Sequence, residues 1–174
     1  MRLVSLTCSN TEIVAALGLG EQLVGVDDHS DFPERVNDLP RVGPDLQIDI
    51  EKVAALKPDL VLASLTVPGH EAVVAALEAA GLPFIAPEPT SIDDVLTDVR
   101  TIADAVGESA RGERLATELA EGLQPLPPLS RRPRILVEWW PKPVIVPGQD
   151  SWVTQLLDRV GAVNPLDEPV KSRP

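Results

Sequence analysis

The side chains that could bind a metal ion are few and lie in the first 70 residues of the chain. Cys8, His29 and His70 are its only thiol and imidazole groups, and aspartates stand on both sides of His29. Thiolate, imidazole and carboxylate groups are the usual ligands of transition metals. One hypothesis is therefore a metal-binding or metal-sensing protein that uses Cys8 and His29. The alternatives are that both line a ligand pocket, or that His29 is a solvated loop residue and Cys8 a small buried side chain.

Two adjacent tryptophans, Trp139 and Trp140, follow residues 134–138, which we predict to form a strand. Neighbouring residues of a strand face opposite ways, so one ring can enter a core while the other lines a cleft. Pocket lining by Trp139 or Trp140 is one interpretation, and core packing is the other.

The motifs of several enzyme classes are missing. Gly18 and Gly20 begin a dinucleotide-binding pattern, but Leu23 stands where its third glycine is required. No G-x-S-x-G, P-loop or H-E-x-x-H pattern occurs. We therefore predict that the protein is not an enzyme, and we assign no catalytic residue.

Short apolar runs alternate with segments of helical periodicity in the first 90 residues, which predicts an α/β fold with a parallel sheet. Because the runs are continuously apolar, we expect the sheet to be buried on both faces. The predicted strands are residues 3–6, 23–26, 60–63 and 84–86, and the predicted helices are residues 11–17, 50–56 and 71–80.

Polar residues mark the predicted helix starts. Ser9 and Glu12 have the spacing of a capping box, Asp49 precedes a helix that begins at Ile50, and Ser91 precedes a periodic segment. That segment and the one after it predict mostly helical structure over residues 91–124.

The last 50 residues have a different organisation. Prolines make residues 125–133 a stiff connector. Beyond it we predict strands at 134–138 and 143–147 and a helix at 151–160 that Gly161 ends. Such a small ribbon buries little apolar area, so we predict an incomplete second lobe. The predicted domains are residues 1–90, a helical segment 91–124, and the start of a second lobe, 125–174.

Composition excludes several classes of protein. The 174 residues carry 15 basic and 27 acidic side chains, a formal net charge of −12, which argues against a nucleic-acid partner. The single cysteine excludes an internal disulfide and a four-thiolate zinc site. No apolar run approaches the roughly 20 residues that span a bilayer, and we recognise no signal peptide in this chain.

Several motifs together resemble a known family. The segment V-G-V-D-D-H-S-D-F-P at 24–33 and the segment I-E-K-V-A-A-L-K-P-D-L-V at 50–61 are similar to the helical-backbone substrate-binding proteins of ABC importers. The segments L-T-C-S-N-T-E at 6–12 and G-Q-D-S-W at 148–152 also match that family. Within it, the resemblance is greatest to the cobalamin-binding branch, and ferric-siderophore and haem receptors are related.

The resemblance implies two α/β lobes joined by a rigid spine helix, here residues 109–123, with ligand held in a cleft between them. The family fold continues beyond position 174, so the second lobe is expected to be incomplete here. The implied function is the binding of a corrinoid such as vitamin B12 and its delivery to an ABC permease. The corrinoid is the transported ligand, and no cofactor is expected. A ferric-siderophore or haem receptor is the alternative, and the implied location is periplasmic or at the cell surface, with a cytoplasmic location left open.

Residue by residue, the resemblance also implies a binding site. Asp45 and Ser64 stand where the vitamin receptor carries tryptophans, and His29 stands where a ring often stacks on the corrin. The implied ligand-binding set is Cys8, Ser9, His29, Asp45, Ser64, Trp139 and Trp140.

Glu51 matches an acidic residue with which first lobes of this family dock to arginines of the permease. A carboxylate suits charge-assisted pairing with arginine. The alternative role for Glu51 is to complement the dipole of its own helix.

Overall fold

The computed structural model describes residues 1–127, 129–142, 144–166, 169 and 172–173. The chain divides into two compact units, one of Met1–Glu88 with Val99–Leu115 and one of Pro89–Asp98 with Ala116–Pro174. Each unit is described by itself. The three-part domain division at 1–90, 91–124 and 125–174 stays a prediction.

The first unit contains a parallel sheet, as the sequence predicts. Its strands are β1 (Leu3–Ser5), β2 (Leu23–Val26), β3 (Leu60–Leu62) and β4 (Phe84–Ile85). They lie in the order β2-β1-β3-β4, and every neighbouring pair is parallel. The connecting helices are α1 (Cys8–Ala16), α2 (Ile50–Ala55) and α3 (His70–Ala79), with 3-10 turns at Gly20–Gln22 and Glu34–Asp38.

The sheet separates two apolar clusters, which confirms burial on both faces. Leu3 and Leu62 belong to one cluster, with Val14 of α1. Val4 and Val61, their neighbours along the strands, belong to the other cluster. Because side chains alternate along a strand, a continuously apolar run supplies both clusters at once.

Two of the three predicted helix caps are confirmed. The Asp49 carboxylate accepts the Lys52 N–H at 3.0 Å. The hydroxyl of Ser91 accepts the Asp94 N–H at 3.0 Å, and the Asp94 carboxylate accepts the Ser91 N–H at 2.9 Å. Hydrogen bonds from Thr90, led by its backbone N–H, and from Ser91 lower the pKa of Asp94 to about 2.

The predicted cap at Ser9 is wrong. Helix α1 begins at Cys8, and Thr7 occupies the cap position without a side-chain cap hydrogen bond. The Thr11 N–H donates to the Thr7 carbonyl at 3.1 Å, which closes the first turn before a cap at Ser9 could form. The helix therefore begins earlier than local capping preference indicates.

Two helices follow β4 in the chain. They are α4 (Ile92–Ala105) and α5 (Ser109–Gly122), and Gly107 between them has a φ of +78°. Helix α5 coincides with the segment that the resemblance identifies as the spine. None of the helices in the described ranges combines the length and the apolar character needed to cross a bilayer.

The second unit contains a small antiparallel sheet and one helix after α5. Its strands are β5 (Trp140–Pro141), β6 (Val144–Pro147) and β7 (Ser172–Arg173), in the order β5-β6-β7. Helix α6 (Trp152–Arg159) is capped by the Ser151 hydroxyl, which accepts the Val153 N–H at 3.2 Å. Position 143, the predicted start of the second strand, lies outside the described residues.

The strand predicted at 134–138 is wrong. Arg134 forms only an isolated bridge with Val163, and the strand that pairs with β6 begins later, at Trp140. Leu136 is 58% exposed, so this apolar run has no buried face to favour a regular strand.

Helices α4 and α5 approach closely at Gly112, which gives a first prediction. A Cβ built at Gly112 would lie 2.3 Å from the Cβ of Ala103. We expect Gly112→Ala to lower the free energy of unfolding by about 1–3 kcal/mol, because a buried contact becomes overpacked. Urea denaturation measures the change. Gly122→Ala is the matched control on the same helix. Apart from its chain neighbours and the backbone of its own helix, no atom of the described residues lies within 4 Å of the added Cβ, so this change should not destabilise the protein. Equal losses in both variants would contradict the packing argument.

A second prediction concerns Asp98 on α4. Burial, followed by repulsion from Asp94, raises the pKa of Asp98 to about 6. The folded protein therefore binds a proton at Asp98 more tightly than the unfolded chain does. The resulting contribution to the free energy of unfolding is fully present below pH 4 and is lost as the pH rises through 6. We expect Asp98→Asn to raise the free energy of unfolding at pH 7 by about 1 kcal/mol, a value reduced for solvent screening. Urea denaturation between pH 4 and 7 measures the effect, with exposed Glu118→Gln as control. An unchanged pH profile for Asp98→Asn would refute the assignment.

Candidate functional site

The carboxyl ends of the parallel strands carry most of the predicted site residues of the first unit. In open α/β sheets this edge is where ligands bind. The loop 43–49 joins this edge, because the Asp28 N–H donates to the Gly43 carbonyl at 2.9 Å. We call five segments of the first unit the strand-end loops: residues 6–7, 27–33, 43–49, 63–69 and 86–88.

A buried polar network lies beneath these loops. The Thr11 hydroxyl oxygen lies 2.8 Å from the hydroxyl oxygens of both Ser5 and Ser30. The Ser30 hydroxyl donates to the Asp27 carboxylate at 2.5 Å. All four side chains are buried, so each polar group depends on the others for its hydrogen bonds. The network joins the end of β1, the start of α1 and the loop after β2.

Asp27 also shapes the loop that carries His29. The second oxygen of its carboxylate accepts the His29 N–H at 2.9 Å. The Arg41 guanidinium donates to the backbone carbonyls of Asp27 and Ser30, at 2.8 and 2.5 Å. Hydrogen bonds to Asp27 and Arg41 therefore fix the backbone of the loop after β2, while the His29 side chain is exposed.

The structure brings five predicted ligand-binding residues to this one edge. Cys8 and Ser9 begin α1, and Cys8 is partly exposed while Ser9 is exposed. His29 is exposed in the loop after β2, and Asp45 is partly exposed in loop 43–49. Ser64 follows β3 and is buried, with its hydroxyl oxygen 2.8 Å from that of Thr66.

The two tryptophans belong to the second unit. The Trp139 side chain is partly exposed. The backbone N–H of Trp139 donates to the Ile145 carbonyl at 2.8 Å. The backbone of Trp140 lies in β5 and pairs with Ile145. The Trp140 side chain lies outside the described parts of the structure, so its predicted role stays a prediction.

The metal hypothesis finds no further support. Within the described ranges, no group of three or more His, Cys, Asp or Glu side chains could hold a metal ion. Burial, followed by the negative charge of Asp27, raises the pKa of the Cys8 thiol. A raised pKa keeps the thiol protonated at neutral pH, and a thiol is a poorer metal ligand than a thiolate.

Two important residues have roles that the sequence did not reveal. Asn10 is buried, and its amide donates to the Ala63 carbonyl at 2.7 Å, which ties α1 to the loop after β3. His70 appeared only as a soft metal ligand, yet the structure buries it at the start of α3.

The lysine, arginine, aspartate and glutamate content of the strand-end loops is entirely acidic. These five segments contain no lysine or arginine, and their partly or fully exposed carboxylates are Asp28, Asp31, Asp45, Asp49 and Glu88. Arg41 lies nearby, but its guanidinium is engaged with loop carbonyls and with Asn37. The edge therefore disfavours an anionic ligand unless that ligand supplies its own cation.

Glu51 lies exposed in the first turn of α2. Its neighbour Lys52 pairs with Asp49, with 3.7 Å between the charged atoms. The position suits both docking of an external arginine and complementation of the helix dipole.

Comparison with known proteins identifies relatives of this chain. Residues 3–173 match the family model described as periplasmic binding protein. A vitamin B12-binding protein of Vibrio cholerae is 30% identical over 167 residues, which are 94% of this chain and 60% of that protein. An uncharacterized ABC transporter substrate-binding lipoprotein, YvrC of Bacillus subtilis, is 30% identical over 94% of this chain and 54% of its own length.

A solved structure is also similar to this chain in fold and in sequence. The periplasmic heme-binding protein RhuT from Roseiflexus sp. RS-1, in its apo form, superposes with a TM-score of 0.78 at 30% identity. The match covers 99% of this chain and 69% of RhuT. The chain thus spans a little over half the length of the curated relatives it matches.

The polar network gives a prediction about stability. Thr11→Val keeps the shape of the side chain but removes the hydroxyl that Ser5 and Ser30 share. We expect it to lower the free energy of unfolding by about 1–3 kcal/mol, since buried hydroxyls lose a partner. Thr11→Ser, which keeps the hydroxyl and loses one methyl, should cost about 1 kcal/mol. Chemical denaturation ranks the two variants, and a valine variant as stable as the wild type would remove the network argument.

Proposed function

The chain belongs to the periplasmic binding protein family, and we propose that it binds a corrinoid, such as vitamin B12, for delivery to the permease of an ABC importer. Members of this family are non-enzymatic components of transport. The corrinoid is the cargo, and the protein needs no cofactor. The proposed location follows the family, in the periplasm or at the cell surface.

The observation that carries the ligand assignment is the contrast between buried and exposed polar groups at the strand ends. Asp27, Ser30 and Thr11 bond one another below the loops. Cys8, Ser9 and His29 are left partly or fully exposed above them. A rigid surface with small polar groups and a ring suits a large, flat ligand that needs many weak contacts.

Charge separates the corrinoid from its rivals. The corrinoid ring carries uncharged amide side chains, whereas haem carries carboxylates and many ferric siderophores are anionic. Carboxylates without lysine or arginine in the strand-end loops favour the uncharged ring. The vitamin B12-binding relative supports this choice.

A haem or ferric-siderophore receptor is the second candidate, and the heme-binding relative favours it. His29 is exposed and could approach a bound metal centre, as neutral imidazole is a common ligand of iron. The charge of the loops argues against this candidate, because no basic group there would pair with ligand carboxylates.

We further propose ligand contacts by Cys8, Ser9, His29, Asp45 and Ser64 of the first unit. Trp139 and Trp140 of the second unit complete the proposed set. Glu51 is proposed to dock to a permease arginine, supported by its exposure on the first turn of α2.

Calorimetric titration tests the ligand. We expect cyanocobalamin to bind with micromolar or tighter affinity and to quench tryptophan fluorescence, and haem to bind more weakly. His29→Ala should weaken cyanocobalamin binding by roughly tenfold if the ring stacks on the ligand. Glu118→Gln, an exposed change on α5, is the control. Binding of haem or a ferric siderophore without cyanocobalamin binding would favour the second candidate, and no binding of cyanocobalamin, haem or a ferric siderophore by folded protein would refute both.

The docking proposal has its own test. We expect Glu51→Ala to leave cyanocobalamin affinity unchanged and to reduce stimulation of ATP hydrolysis by a vitamin B12 importer reconstituted in vesicles. Loss of a charge-assisted pair with arginine should weaken docking by roughly tenfold. Glu78→Ala, which removes an exposed carboxylate from α3, is the control. Unreduced stimulation by Glu51→Ala would leave only the helix-dipole role.

A further inference from the structure

His70 is a buried imidazole that none of the roles above uses. It is the first residue of α3, and only 4% of its side chain is exposed. Its Nδ1 accepts the Val67 N–H at 3.4 Å. Its Nε2 is buried and has no hydrogen-bond partner among the described residues. A buried polar atom without a hydrogen-bond partner lowers the stability of the fold, so the missing partner of Nε2 requires an explanation.

The hydrogen bond at Nδ1 indicates which tautomer a neutral His70 ring adopts. Because Nδ1 accepts an N–H, the neutral imidazole carries its proton on Nε2. The Nε2 atom lies 3.6 Å from an oxygen of the Asp45 carboxylate, beyond the usual length of an N–H···O bond. A shift of about half an ångström by Asp45 would complete the bond.

Asp45 lies between this donor and solvent. One oxygen of its carboxylate accepts the Leu46 N–H at 3.0 Å, and the other faces His70. The side chain is 36% exposed, so an external group can reach it. Each carboxylate oxygen accepts two hydrogen bonds, which leaves capacity for a ligand donor.

Two exposed apolar side chains belong to the loops that carry Asp45 and lead to His70. Leu46 is 45% exposed and Val67 is 40% exposed. Leu46 approaches the backbone at the start of α3, since a Cβ built at Gly69 would lie 3.2 Å from its side chain. A carboxylate acceptor on a loop that also exposes an apolar side chain suits a hydrogen-bond donor that projects from an apolar frame.

We propose that Asp45, positioned by the Nε2–H of His70, is a subsite that binds an uncharged hydrogen-bond donor of the ligand and rejects a carboxylate in the same place. On a corrinoid, that donor is the N–H of a peripheral primary amide. The proposal rests on the proposed corrinoid function and adds a selection rule to it. His70 is a positioning residue, because its buried nitrogen acts on the ligand only through Asp45.

Matched ligands test the selection rule. The monocarboxylic acids of cyanocobalamin differ from the parent only in one peripheral amide that has become a carboxylate. We expect at least one of them to bind the wild-type protein roughly tenfold more weakly than cyanocobalamin does, since an amide donor is replaced by a repelled charge. Asp45→Asn should reduce that difference to about twofold. Glu78→Gln removes one negative charge from the exposed face of α3, outside the strand-end loops, and should leave the difference intact.

A second measurement tests the role of His70. The Nε2–H resonance of His70 should shift when cyanocobalamin is added to the wild-type protein, and not when it is added to Asp45→Asn. His70→Gln keeps an N–H that can reach Asp45 and should retain the selectivity, whereas His70→Leu should lose it. The resonance measurement does not depend on the folding of any His70 variant.

The outcomes separate the two proposals. If cyanocobalamin binds and every monocarboxylic acid binds equally well, the subsite is refuted and the corrinoid function stands. Selectivity that persists in Asp45→Asn refutes the subsite as well. If folded wild-type protein binds no corrinoid, the proposed function fails and the subsite fails with it.

Discussion

A fully buried carboxylate organises the strand-end surface. Asp27 is 0% exposed, and a charge in that position is tolerated only where donors surround it. The Ser30 hydroxyl and the His29 N–H supply those donors, while Arg41 holds the carbonyls of the same loop. Ser30, which donates to Asp27, also contacts Thr11 of α1. The need of the Asp27 carboxylate for hydrogen-bond donors therefore links the loop after β2 to the first helix.

This link divides the polar groups of the first unit into an inner and an outer set. The inner set bonds within the protein and determines the shape of the loops, and Asn10 extends it to the loop after β3. The outer set, with His29 and Asp45, is exposed or partly exposed to solvent. A surface whose frame is rigid loses little conformational entropy when a ligand binds, so weak contacts can add up to useful affinity. The carboxylates of the outer set then determine which ligand charges are accepted.

Much of the fold could be predicted because local signals and the final structure agree. Strand β2 has its predicted bounds, and α4 begins at Ile92, directly after the predicted cap Ser91. The predicted cap at Ser9 and the predicted strand at 134–138 are wrong for one shared reason. Both rest on local preference, whereas the closure of the first turn on Thr7 and the exposure of Leu136 depend on surrounding structure.

The sequence by itself determined the family, the parallel sheet and the anionic character of the strand-end loops, because motifs, apolar runs and residue charges are properties of short segments. Only the tertiary structure decided that Thr11 meets Ser30 and that Asn10 reaches Ala63. It also buried His70 next to Asp45, 25 positions earlier in the sequence. These contacts join residues far apart in the chain, and such pairs meet only after the strands between them have taken their places in the sheet.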